Sequence, residues 1–155
     1  MTDFLVAALQ ITSTSNVEAN FAEAEEQIEL ASRRGAELIG LPENFAFLGE
    51  DVEKLRLASE LSVKCANFLK TMSQRYQVIL LGGGYPVPAG DDSHTFNRSA
   101  LFGKDGQILK CLKTATHGKR LTSLGDYEDD FKCCSELDSL DIVPAQVERG
   151  VIRAS

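Results

Sequence analysis

The sequence predicts an α/β fold, and three observations carry that prediction. Short apolar runs alternate with long amphipathic stretches over the first two thirds of the chain. The amphipathic stretches open and close with helix start and stop signals. An Asp-Gly turn then joins two further strand-like segments into a hairpin. The sum is β-α-β-α-β followed by a hairpin, an alternation that belongs to α/β architectures.

Each element has its own warrant. Phe4 to Leu9 is a nearly continuous apolar run, as expected of a strand buried on both faces. Ser15-Asn16-Val17-Glu18 has the form S-x-x-E, a capping box that opens a helix. Val17, Phe21, Ala24, Ile28 and Ala31 recur at spacings of three and four and give that helix one apolar stripe. Glu18, Glu23, Glu25, Glu26 and Glu29 occupy the opposite, solvated face. Arg33 and Arg34 suit the negative end of the helix dipole, and Gly35 stops the helix.

Glu37 to Leu41 reads as a second strand, ended by Pro42. A second helix is predicted from about Val52 to Tyr76, with Leu61, Cys65, Phe68, Met72 and Tyr76 as its stripe. Cys65 is therefore expected as a small core residue. Val78 to Leu81 is a third strand, closed by Gly82-Gly83-Gly84. Thr95 to Phe102 and Gln107 to Lys113 form the hairpin around Lys104-Asp105-Gly106.

Composition narrows the function. The chain has 155 residues, 43% hydrophobic and 25% charged, with a formal net charge of -7. That length suits one domain with a core of its own. The acidic balance argues against nucleic acid or an anionic membrane as partner, since both need a basic face. No apolar run approaches the roughly 20 residues of a spanning helix, and Phe4 to Leu9 is too short for a signal peptide. A cytoplasmic protein with reduced thiols is expected from the four cysteines, Cys65, Cys111, Cys133 and Cys134. In that compartment the sequon Asn97-Arg98-Ser99 is fortuitous. His94 and His117 lie far apart in sequence and no Cys or His spacing matches a metal-ligand set. The three glycines at 82–84 invite a phosphate-cradle reading, but Tyr85-Pro86-Val87-Pro88 follows where a helix N-terminus should be, so close backbone packing explains them better.

The pattern changes after Lys113. Gly125 to Asp141 holds Asp126, Glu128, Asp129, Asp130, Glu136, Asp138 and Asp141 against a single Lys132, with poor hydrophobic periodicity. Ile142-Val143-Pro144 could supply a short edge segment. Two regions are expected: a structured one over residues 1–113 and an acidic, unassigned tail over 114–155.

Ala7-Ala8-Leu9-Gln10, the helix motif Asn20-Phe21-Ala22-Glu23-Ala24 with Ile28, Leu41-Pro42-Glu43, Leu80 to Tyr85, Phe96 to Ala100 and Gly103 to Gly106 stand in one order and spacing. Together they resemble the carbon–nitrogen hydrolases of the nitrilase superfamily over about residues 3 to 113. The resemblance implies a nitrilase-like α-β-β-α sandwich, of which this chain supplies about half. A half-sandwich leaves an uncovered apolar sheet, so a homo-oligomer or self-association through that face is expected.

The family's chemistry uses a Glu, a Lys and a Cys on a small amide or nitrile substrate, with no metal or organic cofactor. A thiolate attacks, a Glu moves protons and a Lys holds the charge of the tetrahedral intermediate. The resemblance makes Glu43 the general base. For the lysine, Cys111-Leu112-Lys113-Thr114-Ala115-Thr116-His117 stands where the family has Y-R-K-x-H-L. Strict alignment places Thr114 at the lysine position, and a shift or insertion places Lys113 there. The thiol segment G-x-x-I-C-Y-D-x-R-F-P-E has no match. Cys133-Cys134 has the approximate sequence position alone, and Asp129, Asp130 and Glu136 nearby would disfavour a thiolate. Val143 to Val147 and Arg153 to Ser155 faintly resemble a distal V-A-P-A-Q … R-R-A-S stretch. A frameshift, truncation or alternative splice after Leu112 would account for the loss of pattern. Two functions remain open: an ω-amidase-like hydrolase disabled by the missing thiol, or a non-catalytic fragment that binds a partner.

Overall fold

The computed structural model describes residues 4–90, 94–116, 144–148 and 151–154. Its elements are β1 (Phe4–Ala8), α1 (Val17–Arg33), β2 (Ala36–Gly40), α2 (Asp51–Tyr76), β3 (Ile79–Pro88), β4 (Thr95–Phe102), β5 (Ile108–Thr116), β6 (Pro144–Glu148) and β7 (Val151–Ala154). Among the described residues they form one mixed sheet in the order β5-β4-β3-β2-β1-β7-β6. β1, β2 and β3 run parallel, and every other pairing is antiparallel.

The two crossovers β1-α1-β2 and β2-α2-β3 step along the sheet in one direction. Right-handed crossovers that do so place both helices on one face. Burial shows which face. The row Ala7, Ile39, Leu80 and Phe102, aligned across four strands, is 0–2% exposed. The next row, Ala8, Gly40, Leu81 and Leu101, points the other way and is left open, with Leu81 40% exposed. The expectation that β1 is buried on both faces is thus corrected. Its apolar character is continuous, as expected, but among the described residues the helices cover one side only.

Both helices use the apolar stripes expected of them, with local differences. The N-cap of α1 is Asn16 rather than Ser15: the Asn16 side chain accepts from the Ala19 amide at 3.1 Å. Glu18 still lies in the first turn, where it complements the dipole. The acidic face is also less purely solvated than the sequence suggests. Glu18 pairs with Lys64 at 2.8 Å, and Glu25 pairs with Arg75, tying α1 to α2. Arg34 caps the end of α1 and Gly35 turns the chain at φ +88°. In α2, Ala58, Leu61, Cys65, Leu69, Met72 and Ser73 are buried, and the helix ends at Gln77 in the left-handed region.

β3 departs most from expectation. It does not stop at the glycines but runs through them to Pro88. The glycines are there because the strand is overlaid on both sides. A Cβ on Gly82 would lie 2.3 Å from Leu69 Cδ1, and one on Gly83 would lie 2.1 Å from the Pro42 carbonyl oxygen. Close packing is their role. The hairpin is confirmed, with Gly106 at φ +77° in its turn and β5 continuing to Thr116. The anticipated edge segment is realised slightly later, as β6 at the end of the sheet. The acidic run 125–141, His117, Cys133 and Cys134 lie outside the described residues.

Candidate active site

Glu43 sits in the turn that follows β2, at the end of the sheet where the parallel strands point their C-termini. That is the usual place for ligands in α/β sheets. The turn is held from four sides. From β3, the Leu81 carbonyl accepts from the Leu41 amide at 2.9 Å and the Gly84 carbonyl from the Asn44 amide at 2.8 Å. From α1, buried Asn20 donates its side-chain amide to the Ala46 carbonyl at 2.9 Å and to the Thr14 carbonyl at 2.7 Å. From α2, Lys54 Nζ donates to Asn44 Oδ1 at 3.3 Å. From beneath, Phe45 is fully buried among Phe21, Phe68 and Tyr85, whose ring centroids each lie 6.2 Å from its own.

Two backbone features aim the carboxylate. Asn44 adopts φ +57°, a left-handed conformation that asparagine tolerates better than most residues. It reverses the chain directly after Glu43, so Phe45 dives inward while Glu43 stays exposed. Gly83 lets β3 lie flush against Leu41 and Pro42. The exposed carboxylate accepts a hydrogen bond from Asn97 Nδ2 at 3.1 Å. Asn97 itself occupies space that a side chain on Gly84 would fill, since a Cβ there would lie 2.4 Å from Asn97 Nδ2.

Asn97 sets the reference for the second candidate. In the β4–β5 register Asn97 is opposite Thr114, and Arg98 is opposite Lys113. Paired residues of adjacent strands share a face, and successive residues alternate. Position 114 is therefore the cross-strand neighbour of the residue that holds Glu43, and position 113 is one step away.

The described thiols have different surroundings. Cys65 is fully buried on the core face of α2, and desolvation pushes its pKa up to about 12. Cys111 is exposed on β5, opposite Ala100. Beside the site, Tyr85 and Arg98 are cross-strand partners. Burial raises the Tyr85 phenol, and the nearby Arg98 guanidinium partly offsets that. Among the described residues, neither the Tyr85 hydroxyl nor Arg98 Nε has a hydrogen-bond partner. A cavity of about 510 Å³ lies between the first turns of α2 and the end of β3, lined by Val52, Leu55, Arg56, Ser59, Pro88 and His94.

Asn20 and Asn97 are the residues whose site role the sequence alone did not assign. Asn20 lay within the quoted helix motif, and a polar residue on an apolar stripe was its signal. Asn97 looked like part of a fortuitous sequon. Its pairing with Glu43 depends on a contact across 54 positions, which no local pattern reveals.

Comparisons with known proteins bear on the family and the fold. The carbon-nitrogen hydrolase family model matches residues 5–127. A deaminated glutathione amidase of a Synechocystis species is 51% identical over 110 residues, which is 70% of this chain and 40% of that protein. The chain thus spans well under half of that relative's length. The Caenorhabditis elegans NitFhit crystal structure superposes with a TM-score of 0.69 at 25% identity, covering 80% of this chain and 30% of that one. A second group of relatives has another description. A probable 2-phosphosulfolactate phosphatase of a Synechococcus species is 62% identical over 45 residues, 29% of this chain and 18% of that protein. Five further phosphatases of that description match over 44–48 residues at 56–58% identity. The family match over most of the chain and the shared fold show that the chain belongs to the carbon–nitrogen hydrolase family, of whose fold it carries a part.

Proposed function

We propose that this chain carries the general-base arm of an amidase-type carbon–nitrogen hydrolase and does not complete the reaction by itself. In the parent reaction a thiolate adds to the amide carbonyl and the C–N bond breaks. The amine or ammonia leaves with a proton delivered by the glutamate. Water, deprotonated by the same carboxylate, then cleaves the thioester to release the acid. Glu43 supports the first role here: it is exposed, fixed by its turn and oriented by Asn97. The amidase relative makes an ω-amide the substrate class to test first.

The single observation that carries the reading is the register opposite Asn97. It holds Thr114, which has no cationic group to stabilise an oxyanion, while Lys113 stands opposite Arg98. Lys113 remains the lysine nearest to the family position, and its service requires a one-residue slip of β5. The nucleophile is the larger gap. Cys65 is sealed in the core and held protonated, so it offers no thiolate at neutral pH. The reduced thiols fit a cytoplasmic setting, and among the described residues no helix is long and apolar enough to cross a membrane.

Ammonia release from a panel of ω-amides by the full chain and by Glu43→Gln tests the proposal. No release above the Glu43→Gln background is expected. Release that Glu43→Gln abolishes would show a working triad and overturn it. A second reading, a non-catalytic fragment that binds a partner, is favoured by the open row at Leu81 and Leu101. Under that reading Glu43→Gln leaves complex formation unchanged, and charges placed on the open row abolish it.

A further inference from the structure

We infer that the chain joins two protein families: a hydrolase half, and an in-frame segment of the family represented by the 2-phosphosulfolactate phosphatases, beginning within β5. Three observations support this independently of whether Glu43 is active. The first is length. The amidase match covers 70% of the chain and the phosphatase match 29%, so laid end to end they would account for nearly all of its 155 residues. With the phosphatase block laid at the C-terminal side, a 45-residue segment ending at Ser155 would begin at Cys111. The hydrolase motifs themselves stop at Lys113.

The second is consistency. Six phosphatases match over blocks of similar length, 44–48 residues, as a single shared segment would produce. The third is the kind of sequence involved. A frame-shifted tail is read from codons never selected as protein and has no reason to match six proteins at 56–62% identity. A tail at that identity is translated in its own frame. The hydrolase family model reaches residue 127, so the crossover lies between 111 and 127, and the motif break places it at the start of that window.

The inference changes the chemistry assigned to the tail. Cys133 and Cys134 become residues of the second family, and neither is a displaced copy of the hydrolase nucleophile. The strand pairing of β7 on β1 becomes a contact between parts of different descent. The 18% share of the phosphatase carries no claim that its activity is present.

Two measurements test this. The first is the DNA sequence of the gene from its source, read as single long molecules across codons 100–155. One uninterrupted frame is expected, with no K-x-H-L or I-C-Y-D segment in the other two frames beyond codon 112. Such a segment in another frame would identify the tail as a frameshift product and overturn the inference. The second replaces the matching 45-residue block of the Synechococcus phosphatase with residues 111–155, beside a control carrying the frame-shifted translation of the same codons. A soluble graft with a cooperative thermal transition within about 10 °C of the parent is expected. A graft that aggregates or melts without a transition, as the control should, would overturn it. Neither readout depends on amide hydrolysis, so failure here is distinguishable from failure of the proposed function.

Discussion

The two faces of the central sheet are made from the same kinds of residue and have opposite fates. Ala7, Ile39, Leu80 and Phe102 lie under α1 and α2 and lose nearly all contact with water. One residue along each strand, Ala8, Gly40, Leu81 and Leu101 form an equally apolar row that the helices do not reach. An antiparallel sheet with one wet face alternates apolar and polar residues, whereas Phe4 to Ala8 and Ile79 to Leu81 do not. The strands therefore have the composition for cover on both sides. The chain spans 40% of its amidase relative.

Among the described residues, Glu43 is supported through Asn20, Phe45, Gly83 and Asn97.

The largest expected effect comes from breaking the covered side at Gly83. Gly83→Ala sets a methyl 2.1 Å from the Pro42 carbonyl oxygen and 2.7 Å from that of Leu41. Backbone cannot yield as a side chain can, so a loss of about 3 kcal/mol or more is expected in urea unfolding, with the Glu43 turn displaced. Phe45→Ala should cost about 3–5 kcal/mol, because it empties an aromatic cluster whose other rings are fixed. Asn20→Ala should cost about 1–3 kcal/mol, leaving the buried Ala46 carbonyl without its donor.

The open side gives the smaller, complementary effects. The wild-type chain is expected to self-associate in size-exclusion chromatography at tens of micromolar. Leu81→Lys should shift it toward monomer with little change in unfolding free energy. A wild-type monomer at that concentration would show that the open row is covered within the chain.

The cysteines sharpen the comparison. Iodoacetamide at pH 8 should modify exposed Cys111 and spare Cys65 until the protein unfolds. The Cys65 thiol holds its proton in the folded state up to about pH 12, whereas it titrates near its ordinary value of 9.0 when unfolded. Between those values the unfolded state binds fewer protons, so Cys65 makes stability fall as pH rises from 9 toward 12. Below pH 9 its contribution is constant. Cys65→Ala should flatten that alkaline limb.

Much of the covered half was legible because its signals are local. The stripes of α1 and α2, the Gly35 stop and the Asp105-Gly106 turn each lie within a few residues of what they specify. The Glu43 turn was legible only through its family wording. What escaped depends on contacts distant in sequence. Nothing near Gly82-Gly83-Gly84 announces that β3 continues under Pro42 and Leu69. Nothing near Asn97 points to Glu43. The capping box misplaced the N-cap by one residue because Asn16 competes with Ser15 for the same amides, and Thr14 favours Asn16 by accepting from its N–H at 3.1 Å.

The account rests on one claim, that Glu43 is a held base without a nucleophile to serve. The direct test is intact-protein mass spectrometry of the full chain after incubation with an activated ω-amide or ester at neutral pH, beside Glu43→Gln. The account predicts no acyl adduct that depends on Glu43. A stoichiometric adduct on a cysteine, absent from Glu43→Gln, would contradict it.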